Sequence, residues 1–141
     1  MSSANAKAFE DVQVGVRCKI AALWIAMLFL FAYGDIFGFF SPGQIQEVTA
    51  GEISGMAITQ VFLFAISLYI AIASVMVFLT LVLSPTVNRW TNIVLPSLYV
   101  VSILASAIGE TSAYYWFLSA IETAVLLLIV WYAWTWPRWS A

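Results

Sequence analysis

The feature that most constrains this chain is an apolar stretch, residues 56–83, that contains no Asp, Glu, Lys or Arg. Three further apolar stretches, at about residues 20–40, 91–108 and 114–136, carry at most one acidic residue each. A helix of about 20 apolar residues crosses the roughly 30 Å hydrocarbon core of a bilayer. The pattern therefore predicts an all-α, polytopic membrane protein with a bundle of four transmembrane helices. It forms one domain over residues 1–141, with a polar N-terminal arm at 1–19.

Composition supports a lipid environment. Hydrophobic residues make up 64% of the chain and charged residues 9%, and the mean hydropathy is +1.00. Soluble domains contain about 45–50% apolar residues. A soluble domain of 141 residues could not bury that much apolar surface, so the lipid bilayer is the expected partner of most of it.

Composition also excludes several kinds of chemistry. The chain has no histidine, which excludes His-ligated metal or haem sites and His-based nucleophilic catalysis. Its one cysteine excludes an intrachain disulfide. The net charge of −2 argues against a nucleic-acid partner. We expect no catalytic residues, no metal site and no cofactor, and we expect that the protein is not an enzyme.

The basic residues predict an orientation. They are Lys7, Arg17, Lys19, Arg89 and Arg138. With four crossings, all of them fall on one side of the membrane, whereas the loops on the other side carry Glu47, Glu52 and Glu110. The positive-inside rule then places both termini in the cytoplasm.

Turn-forming residues predict an inner loop after the second span. Ser84 and Pro85 are expected to end the second span, with residues 84–92 forming an inner loop in which Asn88 or Thr91 caps the third span. The alternative is that this polar loop binds a partner.

The only sizeable outer loop covers residues 41–55. The spacing of Ile45, Val48 and Ile53 is weakly typical of a short amphipathic helix there.

Two acidic residues lie inside predicted spans. At about 1.5 Å per residue, Glu122 and Asp35 both lie in the outer half of the membrane, roughly 4–8 Å from the midplane. A charge at such depth costs roughly 2.5–3.5 kcal/mol on the insertion scale, and no span offers a basic partner. Burial then favours the neutral acid. Glu122 is either a neutral group that hydrogen-bonds between helices or a site for a proton or cation. Asp35, near Gly34 and Gly38, is expected at a kink open to outside water.

Small and polar residues form stripes at helical spacing. These stripes are Gln60, Ser67, Ala71 and Ser74 on span two; Tyr99, Ser102, Ser106 and Gly109 on span three; and Tyr115 and Ser119 beside Glu122 on span four. We expect them to face the bundle interior, where leucine at Ala71 or Ser106 would overpack an interface. Their simplest role is close helix packing. Tyr99, Ser102 or Ser106 is also expected to exchange a hydrogen bond with Glu122.

Together these features predict a binding site inside the bundle around Glu122. The candidate residues are Glu122, Asp35, Ser119, Ser106, Tyr99 and Gln60, with Tyr69 as a further possibility. The protein would bind or move a proton, a small cation or a cationic amphiphile. The alternative is a non-catalytic accessory subunit, with a membrane-protein partner or a second copy of the chain.

Short motifs also carry a resemblance. They are Ala-Leu-Trp at 22–24, Asp35-Ile36 with Pro42-Gly43, Ile58-Thr59-Gln60, residues 76–79, Asn88-Arg89-Trp90 with Asn92-Ile93, Ile121-Glu122, and the tryptophan-rich residues 131–136. In this order the chain resembles a family of small bacterial four-helix membrane proteins of unknown function, and loosely resembles DoxX-type proteins. The resemblance implies a multi-pass protein of the bacterial inner membrane. The family pattern carries Glu-Ile-Pro in span two, where this chain reads Ser67-Leu68-Tyr69-Ile70-Ala71.

Overall fold

The computed structural model describes residues 13–137, and Lys7, Arg138 and most of the predicted N-terminal arm lie outside that range. The described chain is mostly helical. Its elements are α1 (Val16–Phe39), α2 (Gln44–Thr49), β1 (Glu52–Ile53), β2 (Met56–Ala57), α3 (Gln60–Val82), α4 (Pro85–Ser106) and α5 (Ala113–Trp134). The two short strands form an antiparallel hairpin in which Glu52 pairs with Ala57.

Helix α4 begins six residues before the predicted third span, so the inner loop predicted at 84–92 is wrong. Pro85 occupies the first turn of α4, a position where its missing N–H removes no helical hydrogen bond. Only Leu83 and Ser84 separate α3 from α4. Asn88 and Thr91, expected as caps, lie within the helix instead, and the Thr91 hydroxyl donates to the carbonyl of Val87.

Three of the described helices, α1, α3 and α5, are long and apolar enough to cross a membrane. They contain 24, 23 and 22 residues. Helix α4 is as long as α5 but less apolar, because its first two turns contain Asn88, Arg89 and Asn92. The chain is therefore a helical membrane protein with three candidate spans among its five described helices.

The two ends of the helical assembly differ in charge. Helices α1 and α4 begin, and α3 and α5 end, at what we call the basic end, where Arg17, Lys19 and Arg89 lie. The opposite, acidic end carries α2 and the hairpin. Every acidic residue among residues 13–137 lies in the half nearer the acidic end: Asp35, Glu47, Glu52, Glu110 and Glu122.

The tightly packed core lies in the half nearer the basic end. It is built from apolar side chains of α1, α3 and α5 that are at most 1% exposed: Ile20, Trp24, Met27, Ala73, Met76, Leu126, Ile129 and Ala133. Toward the acidic end the packing opens. No residue in 31–39 of α1 or in 60–68 of α3 is buried.

The inward face of α3 is not the predicted one. Tyr69, Ala73, Met76 and Thr80 face the other helices, whereas the predicted stripe of Gln60, Ser67, Ala71 and Ser74 is exposed. Lipid is as apolar as a protein core, so apolarity does not distinguish the two faces of such a helix. A small polar residue can also face lipid if its side chain hydrogen-bonds within its own helix. Ser74 does so, because its hydroxyl donates to the carbonyl of Ile70.

On α4 the predicted stripe is only partly inside. Tyr99 is buried and Ser102 is half-buried, but Ser106 and Gly109 are exposed. The buried face of α4 repeats every three to four residues and consists of Asn88, Asn92, Pro96, Tyr99 and Ile103.

Candidate functional site

A cavity of about 790 Å³ lies between the helices in the half nearer the acidic end. Side chains from α1, α3, α4 and α5 line it, and α2 and the hairpin close part of it. Four of the six predicted site residues line it: Glu122, Asp35, Ser119 and Ser106. Tyr99 lies beneath the cavity wall. Gln60 is exposed at the first turn of α3 and does not line the cavity, because α3 turns its other face inward.

Glu122 projects from α5 toward α1. Its side chain is 8% exposed. Helix α1 passes close to it at Gly34: a Cβ at that position would lie 3.9 Å from Glu122 Oε1 and 3.8 Å from Leu118 Cδ1, which are ordinary van der Waals distances. Within residues 13–137 the Glu122 carboxyl makes no hydrogen bond, and its oxygens stay accessible from the cavity that the residue lines. It is therefore a polar group directed at the cavity and not engaged by the surrounding helices.

The expected hydrogen bond from α4 to Glu122 is absent because the α4 hydroxyls have other partners. The hydroxyls of Ser102 and Tyr69 bond at 2.8 Å, and those of Ser106 and Tyr115 bond at 2.7 Å. The Tyr99 hydroxyl donates to the carbonyl of Tyr69 at 2.5 Å. These bonds tie α4 to α3 and α5, and none of them involves Glu122.

Two other carboxyl groups share the cavity. Asp35 on α1 is exposed and lines it. Glu110, in the turn between α4 and α5, accepts hydrogen bonds from the N–H groups of Thr111 at 2.8 Å and Ser112 at 2.7 Å. The Ser112 side chain, followed by these backbone N–H groups, lowers the pKa of Glu110, so this carboxyl is ionised at neutral pH. The lining contains no Lys or Arg.

Aromatic rings form the floor of the cavity on the side of the core. Phe31 and Tyr69 line it directly. Their ring centroids lie 5.6 Å apart, and the Tyr69 ring lies 4.3 Å from that of Tyr99 beneath. The sequence analysis did not find Phe31, because a phenylalanine in an apolar run gives no sign of whether it faces lipid or a cavity.

The segment between α1 and α3 covers part of the cavity. A short helix is present there as α2, but the predicted apolar face is not: α2 ends at Thr49, Ile45 is exposed, and Ile53 lies in β1. Val48 and Ile53 nevertheless both line the cavity. The Ser54 N–H donates to Glu47 Oε2 at 3.3 Å, which connects the hairpin to α2.

A second polar cluster, which sequence reasoning missed, lies in the packed half. The Trp24 Nε1–H donates to Asn92 Oδ1 at 2.8 Å, and Asn92 Nδ2 donates to Asn88 Oδ1 at 2.7 Å and to Thr80 Oγ1 at 3.3 Å. Asn88 Nδ2 donates to the carbonyl of Thr80 at 2.5 Å. All four side chains are fully buried, so this network joins α1, α3 and α4 below the cavity. The available signal was the i, i+4 spacing of Asn88 and Asn92, which was attributed to a loop.

The fold and the cavity define a helical membrane protein with a carboxyl-lined cavity between its helices. The chain belongs to the family of unknown function DUF6326, whose sequence profile matches residues 7–140. Comparisons with curated proteins and with solved structures give no match.

Proposed function

We propose that the protein binds a cationic amphiphile in the cavity at its acidic end. The observation that carries this proposal is that Glu122, a residue only 8% exposed, lines an apolar cavity and that its accessible carboxyl makes no hydrogen bond among the described residues. A volume of about 790 Å³ falls within the range of roughly 300–1,000 Å³ typical of sites for organic ligands.

The charge of the cavity favours a cation. Asp35, Glu110 and Glu122 line it without a basic residue. Attraction between charges strengthens where water is excluded, so a cation beside Glu122 gains more than it would at an open surface. The acidic side chains of the lining would also disfavour an anionic ligand.

The walls favour an organic cation over a small inorganic one. Phe31, Phe62 and Tyr69 present aromatic rings beside the carboxyl groups, and an organic cation gains both apolar contact and cation–π attraction from such rings. An inorganic cation would use only a small part of this surface.

The proposal is tested by measuring binding of tetraphenylphosphonium to the purified protein in mild detergent. We expect Glu122→Gln to weaken binding by about tenfold or more, because it removes a charge and little volume; tenfold corresponds to about 1.4 kcal/mol. Asp35→Asn should weaken it less, since Asp35 is exposed.

Glu52→Gln is the matched control, because Glu52 lies on the hairpin outside the cavity lining. Equal binding by the wild type and Glu122→Gln would contradict the proposal. So would equally tight binding of the neutral triphenylphosphine oxide.

A proton is the second candidate for the same site. Glu122 is 8% exposed and has no ion-pair partner within residues 13–137, so a proton is the alternative occupant of its carboxyl, and an arriving cation would replace it. Binding of tetraphenylphosphonium would then release a proton into weakly buffered solution, and Glu122→Gln would abolish this release.

We further propose that α4 is a fourth crossing and that the basic end faces the cytoplasm. At the basic end Arg89 Nη2 donates to the carbonyl of Trp134, and at the acidic end Ser106 bonds to Tyr115. Helix α4 thus lies along the whole of α5, so if α5 crosses the membrane, α4 crosses it too. The positive-inside rule supports the orientation.

The bacterial inner membrane, the likeness to DoxX-type proteins, the absence of enzymatic activity and the accessory-subunit alternative stay predictions. So does the expectation of a membrane-protein partner or a homo-oligomer.

The topology is tested with single cysteines at Glu52, Thr86 and Thr111 in a Cys18→Ala background, since Cys18 is exposed. We expect an impermeant maleimide added outside intact cells to label Glu52→Cys and Thr111→Cys but not Thr86→Cys. Labelling of Thr86→Cys together with Thr111→Cys would show that α4 does not cross. Labelling of Thr86→Cys alone would show the opposite orientation, with the basic end outside the cell.

A further inference from the structure

A second cleft, of about 840 Å³, lies at the basic end. The first turns of α1 and α4 and the residues that follow α5 line it. Arg17 and Arg89 both line it, together with Trp90 and Trp136. We propose that this cleft binds a phosphate group, supplied by the headgroup of an anionic phospholipid.

The two arginines are held in place by other helix ends. Arg17 Nη1 donates to the carbonyl of Leu81 at 2.7 Å, and its guanidinium lies 5.9 Å from the Trp136 ring. Arg89 Nη2 donates to the carbonyl of Trp134 at 3.3 Å, and its guanidinium lies 5.7 Å from that residue's ring. A guanidinium has five N–H donors, so each arginine retains donors for a ligand. Because both are already ordered, a ligand would not bear the full cost of fixing them.

The charge around the cleft is uncompensated within the part of the chain that the structure describes. All acidic residues of that part lie in the opposite half, and Arg89 Nε is buried without an acceptor. The cleft also contains Pro85 and Thr86, the first residues of α4, and the Ser84 side chain does not cap this helix. The N-terminal N–H groups of a helix add a partial positive charge of about half a unit. The combination of two arginines and a helix N-terminus matches a phosphate, which accepts several hydrogen bonds at once.

The surroundings indicate a lipid as the source of the phosphate. Trp90, which lines the cleft, is exposed, as are Trp131 and Trp134 in the last turn of α5 at the same end, and tryptophan is enriched at the level of lipid headgroups. Beyond the cleft, the exposed surface of α4 carries apolar side chains, including Val87 and Val94. Acyl chains could lie against this surface. A phospholipid could therefore place its phosphate on the arginines and its chains along α4.

Thermal unfolding of the full chain in mild detergent tests this proposal, with added phosphatidylglycerol, phosphatidylcholine or inorganic phosphate. For the wild type we expect phosphatidylglycerol to raise the midpoint by roughly 3–6 °C when it saturates the site. Neither phosphatidylcholine nor inorganic phosphate should match this shift. Arg17→Gln and Arg89→Gln should each lose most of it.

Lys19→Gln is the matched control, because Lys19 lies at the same end and carries the same charge but does not line the cleft; its Nζ lies 5.6 Å from the Tyr132 ring. This variant should keep the full shift. Arg17→Lys and Arg89→Lys preserve charge but not the planar donor fork, so they should keep part of it. Native mass spectrometry counts the phosphatidylglycerol molecules that stay bound. The count should be highest for the wild type and Lys19→Gln, lower for the lysine variants and lowest for Arg17→Gln and Arg89→Gln, even where a glutamine variant is less stable.

Three results would overturn the proposal. An equal shift with inorganic phosphate would identify a free-anion site. If Lys19→Gln lost the phosphatidylglycerol-induced rise in midpoint as fully as the arginine variants, the lipid would be attracted by the overall charge of the basic end and not by the two arginines. Unchanged lipid retention in both arginine variants would show that neither arginine binds the headgroup.

Discussion

Replacing Trp24 by alanine is expected to lower the free energy of unfolding by about 3–5 kcal/mol. The indole is 0% exposed and lies at the centre of the packed half. It donates a hydrogen bond to Asn92 at 2.8 Å and meets the Tyr99 ring edge-on, with centroids 5.8 Å apart. Alanine would therefore leave a cavity and also remove the only α1 side chain in the buried polar network among the described residues.

The contributions of packing and hydrogen bonding can be separated. Trp24→Phe keeps most of the apolar contact but removes the N–H that donates to Asn92 Oδ1. Among the described side chains, only the Thr80 hydroxyl then donates to this oxygen, at 3.3 Å. We expect this variant to lose about 1–2 kcal/mol, since buried hydrogen bonds within membranes contribute modestly.

Reversible unfolding in bicelles measures these differences. Trp131→Ala is the control, because Trp131 is 55% exposed; its effect should stay within about 0.5 kcal/mol. A loss in Trp24→Ala no larger than in this control would mean that the indole does not support the core.

A second large change in the free energy of unfolding is expected when leucine replaces Ala73 but not when it replaces Ala71, although both alanines lie on α3. Ala73→Leu should lower the free energy of unfolding by about 1–3 kcal/mol, because Ala73 is 0% exposed and no space remains for three more carbon atoms. Ala71→Leu should change it by less than about 0.5 kcal/mol, because Ala71 is exposed two residues away on the other side of the helix.

The same unfolding assay distinguishes the two faces of α3. The stripe of small residues in the sequence predicts the opposite result, because it places Ala71 inside the bundle. A larger loss in Ala71→Leu than in Ala73→Leu would restore that assignment. Equal losses would indicate that both faces are packed, as they would be if a partner covered the face that is exposed here.

Several features of the candidate site could be predicted from single residues. Glu122 and Asp35 stand out because a carboxyl in an apolar helix is costly and needs a reason. The structure brings both to one cavity, with Ser119 and Ser106. The aromatic floor around Phe31 could not be predicted, because it depends on which face of α1 turns inward.

That the chain is mostly helical and suited to a membrane follows from its residue pattern alone. Long runs without charge can satisfy their backbone hydrogen bonds within a bilayer only as helices or closed barrels, and the length of each run sets the length of its helix. This is why the positions of α1, α3 and α5 were close to prediction.

Only the tertiary structure decided which faces pack and where α4 begins. Lipid and protein interior are similarly apolar, so hydrophobicity cannot orient a membrane helix about its own axis. Asn88 and Asn92 looked like loop residues because an isolated amide is costly to bury. Trp24, 68 residues before Asn92, and Thr80, on the preceding helix, supply the hydrogen-bond partners that make their burial favourable. These partners are in place only once α1, α3 and α4 have come together.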